Sequence, residues 1–305
     1  MVKPSSILRS LSRTTPWLVR PFVSVWSRRY VERPEKEHWL CHELRLQLGV
    51  RRVVKLRTGG RLRIDPFGFL GRQLVEDGTY EPATVSVLVA ALRPGMVFCD
   101  VGANIGHNSV IASRLVGKTG HVWSFEPNPA VFEELQSNIR LNRCRNVTCF
   151  NLALGSRAMR APLYLSAHDV ASSLARTAHT TSTTVEVAVE TLDDLARQHG
   201  IGRVDLIKID AEGAELPIIQ GARHLIEQCT PALILELSDH FEAFSYSRDD
   251  FCRALAGMEY GLFAVSESRP LERYARSDTP AEFEDVLAVH RSRLELFRAT
   301  GLVPN

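Results

Sequence analysis

The chain has 305 residues, of which 45% are hydrophobic and 24% charged, and its net charge is +2. That length suits one large domain with extensions, the composition is that of a soluble globular protein, and the near-neutral balance carries no nucleic-acid footprint. The charge is uneven, because Lys3, Arg9, Arg13, Arg20, Arg28 and Arg29 all precede the first acid, Glu32, and so leave the rest of the chain mildly acidic.

The basic leader, residues 1–35, has no uninterrupted apolar stretch of about 18 residues and no clean signal-peptide core. Three readings stay open for it: an unordered terminus, an interfacial segment on anionic lipid through residues 1–31, and a targeting peptide. The cysteines Cys41, Cys99, Cys144, Cys149, Cys229 and Cys252 form no CxxC pair and no Cys/His ligand spacing. A reducing, cytoplasmic setting follows, with peripheral membrane contact as the lipid reading of the leader requires.

Residues 36–49 read as a short helix. "RRVVKLRTGGRLRID" (51–65) alternates around Thr58-Gly59-Gly60, a hairpin signal, and "EPATVSVLVAALRPG" (81–95) is an apolar helix stopped by Pro94-Gly95. Residues 36–94 thus form an accessory segment before a domain at 95–291 and a tail at 292–305. Within the domain, strands at 97–101, 121–127, 147–154, 204–210 and 231–238 alternate with helices at 108–116, 128–142, 191–200, 214–229 and 248–260, and further strands fall near 261–267 and 284–290. Asn128 is the cap and Pro129 the first-turn residue of the second of these helices. Residues 159–190 interrupt the alternation with two antiparallel-type strands around a polar loop, 166–184, which is a candidate lid over the acceptor. Strands joined by crossover helices imply a parallel sheet covered on both faces.

In such a sheet ligands bind at the carboxyl ends of the strands. The first strand runs into "DVGANIG", where Gly102 and Gly106 allow close backbone approach. A dinucleotide turn would read GxGxxG. Here Asp100 stands just before the first glycine, where it would repel a pyrophosphate and suit a ligand bringing positive charge. S-adenosylmethionine fits, with a sulfonium, an ammonium and no phosphate. The residues for it are Asp100, Gly102, Ala103, Asn104, Gly106 and Asn108, with Glu126 and Pro127 at the next strand end. An acid at Glu126 can accept hydrogen bonds from both ribose hydroxyls. Ala153 and Leu154, at another strand end, offer an apolar slot for a flat ring. A nicotinamide-dependent oxidoreductase and a non-catalytic homologue are the competing readings; the Asp-containing turn disfavours the first, and the intact turn and Glu126 disfavour the second.

"FCDVGANIGHNSV", "SFEPNPAVFEELQSNI", "NLALGS", "VETLDDL", "DLIKIDAEGAELPIIQGA" and "LILELS", in this order, resemble the FkbM family of S-adenosylmethionine-dependent methyltransferases. The likeness runs over about residues 80–290, and its KIDxEGxE block is the most specific piece. It implies a Rossmann-like class I fold (α/β, a mostly parallel seven-strand sheet with helices on both faces, here with an N-terminal accessory segment). It also implies methyl transfer to a hydroxyl of a sugar, glycan, glycolipid or other secondary metabolite. His107-Asn108 departs from the family, where an aromatic residue is common.

Transfer from a sulfonium leaves a neutral thioether, so alignment of nucleophile and methyl carries most of the acceleration, while an alcohol must still lose its proton. "KIDAEGAE" supplies the candidates: Asp210 beside the reacting centre, Glu212 as base or orienting group, and Lys208 as their partner on the same strand face. Glu215 reads as a helix N-terminal acid. His168, Asp169 and His240 are further bases. Asp210, Glu212, Glu215 and Glu236 offer oxygens that suit a divalent metal, without a spacing that defines a site.

Overall fold

The computed structural model describes residues 51–66, 68–166, 172–177, 180–275 and 283–304. The leader, the helix expected at 36–49, and His168 and Asp169 lie outside the described residues. The chain divides between Tyr80 and Glu81 into two compact units.

In the first unit, β1 (Arg52–Lys55) and β2 (Arg61–Ile64) form the expected antiparallel hairpin, with Val54 opposite Leu62. Its tight turn is closed by the Gly59 N–H donating to the Leu56 carbonyl at 3.0 Å. A helix the sequence reading missed, α1 (Phe69–Asp77), follows and ends on Gly78 in the left-handed conformation.

The second unit is built on a seven-stranded sheet. Its strands are β3 (Val97–Val101), β4 (His121–Phe125), β5 (Val147–Phe150), β9 (Leu206–Ile209), β10 (Ala232–Ser238), β11 (Tyr260–Ala264) and β12 (Phe283–His290). They lie in the order β11-β12-β10-β9-β3-β4-β5. All neighbours are parallel except β12, which runs antiparallel to β10 and β11. Alternate residues of the strands feed two cores. Cys99, Val101, Phe125, Ile207, Ile209, Leu233 and Leu235 meet α5 (Leu192–His199), α6 (Glu215–Gly221), α7 (Arg223–Cys229) and α8 (Arg248–Gly257). Phe98, Val122, Leu206 and Ile234 meet α2 (Pro82–Ala91), α3 (His107–Val116) and α9 (Leu294–Ala299). Burial on both faces is why these strands are continuously apolar rather than alternating. α4 (Pro129–Leu141) has the expected cap, with Asn128 Oδ1 accepting from the Ala130 N–H.

Several boundaries differ from the sequence reading, three of them around the strand ends and covering helices. The strand expected over 147–154 breaks after Phe150: β6 (Ala153–Leu154) leaves the main sheet and pairs with β8 (Thr180–Glu190), which in turn pairs with β7 (Met159–Ser166) in a three-stranded arm. The break is fixed by Asn151, whose Nδ2 donates to the carbonyls of Glu126 and Pro127. The helix expected over 214–229 breaks at Ala222, because Asp193 of α5 accepts from the N–H groups of His224 and Leu225, both at 2.9 Å, and starts a new helix there. The helix expected over 81–95 ends earlier, at Ala91.

Gly221, at the end of α6, lies so close to the arm that a Cβ would stand 1.9 Å from the Gly155 carbonyl oxygen, whereas a Cβ on Gly257 at the end of α8 would meet nothing within 4 Å. Gly221→Ala is therefore expected to cost roughly 3 kcal/mol, the upper end of overpacking penalties. Gly257→Ala should be neutral or up to about 1 kcal/mol stabilising. Equilibrium denaturation of the two variants checks the contrast.

Candidate active site

The order of strands reverses between β3 and β9, and the crevice outside their carboxyl ends is the place where this fold opens. There the turn after β3 rests on the end of β9. Gly102 has φ +77°, and a Cβ on it would stand 1.9 Å from the Asp210 carbonyl oxygen, so only glycine fits. The N–H groups of Gly102 and Ala103 donate to the Phe125 carbonyl at 3.0 and 2.9 Å, which ties the same turn to β4. Gly106, at φ +89°, brings α3 against α4, where a Cβ would stand 2.7 Å from Leu135 Cδ1.

A cavity opens over this turn. Of the residues expected to hold a cofactor, Gly102, Asn104, Glu126, Pro127, Ala153 and Leu154 line it, and so does Asp210. Glu126 is the best defined. Its Oε2 accepts from the Asn104 N–H and its Oε1 from the Asn128 N–H, both at 2.9 Å. Burial pushes its carboxyl up to about 7, against the pull of those two donors. The carboxylate thus stands at the cavity wall with lone pairs to spare for a ligand diol.

Asp100, Ala103, Gly106, Asn108, Lys208 and Glu212 do not line the cavity. Asp100 leaves β3 on the face opposite Val101, is fully buried, and accepts from Ser109 Oγ at 2.5 Å, with Ser109 in contact with Ser124 Oγ at 2.8 Å. In register beside Asp100 is Lys208 of β9. Lys208 is 5% exposed and lies 2.7 Å from Asp210 Oδ2 and 3.7 Å from Glu81 Oε2. Burial pulls its ammonium down, but Asp210, Glu81, Asp100 and Asp285 together hold it well above its ordinary value. Burial in turn pushes Glu81 up to about 7, and Lys208 only partly offsets this.

The KIDAEGAE turn is braced from several sides. Glu215 is fully buried, and its Oε1 accepts from the Ala211 and Gly213 N–H groups at 2.9 and 3.3 Å, so it shapes the turn rather than facing the cavity. Tyr246 donates to the Gly213 carbonyl at 2.6 Å. Glu212, with φ +52°, meets His240 Nδ1 at 3.0 Å through its Oε2. Ser173, in the loop between β7 and β8, donates to the Glu212 carbonyl at 2.9 Å. Ser172 and Leu174 beside it reach the cavity wall, as does Leu163 of β7. Part of the loop expected to act as a lid is therefore anchored on the KIDAEGAE turn. Asp210, Glu212 and Glu236 each present an oxygen within 4.8 Å of the others.

Sequence reasoning missed Asn138, Asn151 and Tyr246, whereas Ser172 and Leu174 belong to the loop it expected as a lid. Asn138 is buried and holds the Ile105 carbonyl at 2.8 Å from the facing helix. A polar residue on the apolar face of α4 was a signal available for it; the others act across long sequence separations.

A family model described as the methyltransferase FkbM domain matches residues 100–262. Methyltransferase 1 of Beauveria bassiana is 27% identical over 222 residues, covering 66% of this chain and 83% of that protein. Hexuronic acid methyltransferase AglP of Haloferax volcanii is 26% identical over 155 residues, 50% of this chain and 61% of that enzyme. 31-O-demethyl-FK506 methyltransferase FkbM of Streptomyces tacrolimicus is 31% identical over 183 residues, 50% of this chain and 67% of that enzyme. A solved FkbM methyltransferase of Methylobacillus flagellatus superposes with a TM-score of 0.42 at 19% identity, over 66% of this chain and 48% of that one.

Removing the buried ammonium in Lys208→Met should leave its carboxylate neighbours uncompensated and cost about 3–5 kcal/mol near neutral pH. Those carboxyls would then bind protons more tightly folded than unfolded, so the penalty grows as pH rises and shrinks toward pH ~5. Denaturant titrations of both proteins at acid and neutral pH read the difference.

Proposed function

The chain belongs to the FkbM methyltransferase family, and from that premise we propose that this S-adenosylmethionine-dependent methyltransferase methylates a hydroxyl oxygen of a sugar, glycan or secondary metabolite. The observation that carries the cofactor assignment is the charge of the cavity wall. Glu126 and Asp210 line it, and among the described residues no Lys or Arg does. Such a wall repels a pyrophosphate and favours a sulfonium, an ammonium and a ribose diol.

On this reading Glu126 accepts both ribose hydroxyls, and Leu152, Ala153 and Leu154 cover the adenine. Gly102 and Asn104 approach the methionine portion, with Asp100 supporting the turn from below rather than touching the ligand. Asp210 faces the transferring methyl. The acceptor oxygen forms its bond to the methyl carbon as the carbon–sulfur bond breaks, the bonding pair stays on sulfur, and neutral S-adenosylhomocysteine leaves. The hydroxyl proton passes to the Asp210 carboxylate, which Lys208 steadies and the Glu212–His240 pair backs. Most of the rate comes from alignment inside the closed crevice. The oxygen acceptor is supported by a relative named for 31-O-demethyl-FK506, and the sugar class by one named for a hexuronic acid. The oxygen acceptor is also supported by a carboxylate, rather than a thiol or lysine nucleophile, at the cavity end.

Turnover of methyl-labelled S-adenosylmethionine with a panel of hydroxylated sugars, hexuronic acids and macrolides checks this. Label is expected in an alkali-stable ether, and Asp210→Asn should slow transfer by ~10²–10⁴-fold, the range for loss of a general base, without loss of S-adenosylhomocysteine binding. Label recovered as methanol after mild alkali would mean a carboxyl ester instead.

A further inference from the structure

Three carboxylates meet beside the cavity, and of these Asp210 alone lines it. Asp210 follows β9, Glu212 sits on the turn after it, and Glu236 comes from the neighbouring β10; one oxygen of each lies within 4.8 Å of the other two. Like charges at that spacing repel unless a proton or a cation stands among them. Two of the three have other partners. Asp210 has Lys208 at 2.7 Å, and Glu212 has His240 at 3.0 Å. Lys208 is itself shared with Glu81, Asp100 and Asp285. Glu236 receives no such relief: its Oε2 is sealed from solvent and accepts no hydrogen bond among the described residues. The same holds for the Oγ of Ser238, two residues along the same face of β10. Glu236 thus brings an unfilled, sealed acceptor to a cluster of three carboxylates, and buried acceptors are rarely left so.

The donor set is all oxygen, which selects a hard divalent cation over zinc or copper. An ion with ligands at about 2.1 Å holds opposite oxygens about 4.2 Å apart, so small side-chain rotations would close this cluster around one ion. We propose that Asp210, Glu212 and Glu236 bind one Mg²⁺ or Mn²⁺, with His240 orienting Glu212 from outside the ligand set. What the ion does rests on the proposed methyl transfer. Because Asp210 also lines the cavity, an acceptor hydroxyl completes the ion's shell; the ion makes its proton more acidic, the proton passes to the Asp210 oxygen that does not bind the ion, and the acceptor oxygen is held toward the methyl. The binding of the ion does not depend on that role.

The test is titration of the full chain with Mn²⁺ alone, read by the electron-paramagnetic signal of free Mn²⁺. One saturable site per chain is expected, displaced by Mg²⁺. Glu236→Gln keeps the shape and removes a charge, and should weaken it at least the ~10-fold that loss of even an outer partner causes; His240→Ala should weaken it ~10–100-fold. S-adenosylhomocysteine binding, measured in parallel, should survive Glu236→Gln. Glu212→Gln is the second ligand variant, read in the same way, and thermal melts confirm that each variant is folded. Absence of saturable Mn²⁺ binding by wild type, or binding that both ligand variants leave unchanged, overturns the site. Loss of S-adenosylhomocysteine binding by wild type would count against the methyltransferase reading and leave the ion's site standing on the Mn²⁺ result.

Discussion

The contact on which the site depends is between two pieces of backbone. The turn after β3 touches the carbonyl at the end of β9 so closely that Gly102 admits no side chain. This happens where the strand order reverses, so elements that run away from each other on either side are pinned at one point. Glu126 on one flank and Asp210 on the other then face a single cavity. A side chain at position 102 would wedge the two strand ends apart and separate Glu126 from Asp210.

Beneath that contact lies a row of buried charge on the face of the sheet covered by α2. Asp100 and Lys208 are register partners, and Asp285 of β12 is held by Thr84 of α2 at 2.6 Å. Glu81, just before α2, faces the same ammonium. Carboxylates outnumber cations here, and burial raises the protonation tendency of Glu81, Asp100, Asp285 and Glu236 alike. Such a network adds little net stability, but it is costly to break, so it fixes where Asp210 stands. The energy of the fold comes instead from the two apolar layers on either side of the sheet.

Much of this was legible in the chain. Apolar runs separated by helical periods gave the sheet, and the strand ends gave Gly102, Glu126 and Asp210, because that is where local pattern and function coincide. The residues that pattern could not reach act at long range: Asp193 starts α7 from another helix, Asn151 turns the chain out of the sheet after β5, and Ser173 reaches the KIDAEGAE turn from the loop between β7 and β8. Asp100 shows a different limit. The type of residue suggested a ligand contact, but a strand alternates its faces, and with Val101 at the cavity wall Asp100 must point the other way. Glu236 could be grouped with Asp210, Glu212 and Glu215 by residue type, but which three of the four converge depends on which strands are neighbours.

The most direct measurement is calorimetric titration of S-adenosylhomocysteine into the wild type and Glu126→Gln between about pH 6 and 7.5, with NAD as the comparison ligand. The ionised Glu126 is the form that accepts two ribose hydroxyls, and its carboxyl titrates at about 7. Wild-type affinity should therefore rise as pH passes upward through that value, Glu126→Gln should bind more weakly and show no such rise, and NAD should give no heat. Equal affinity of the two proteins at every pH, or binding of NAD in place of S-adenosylhomocysteine, would contradict the cofactor site described above.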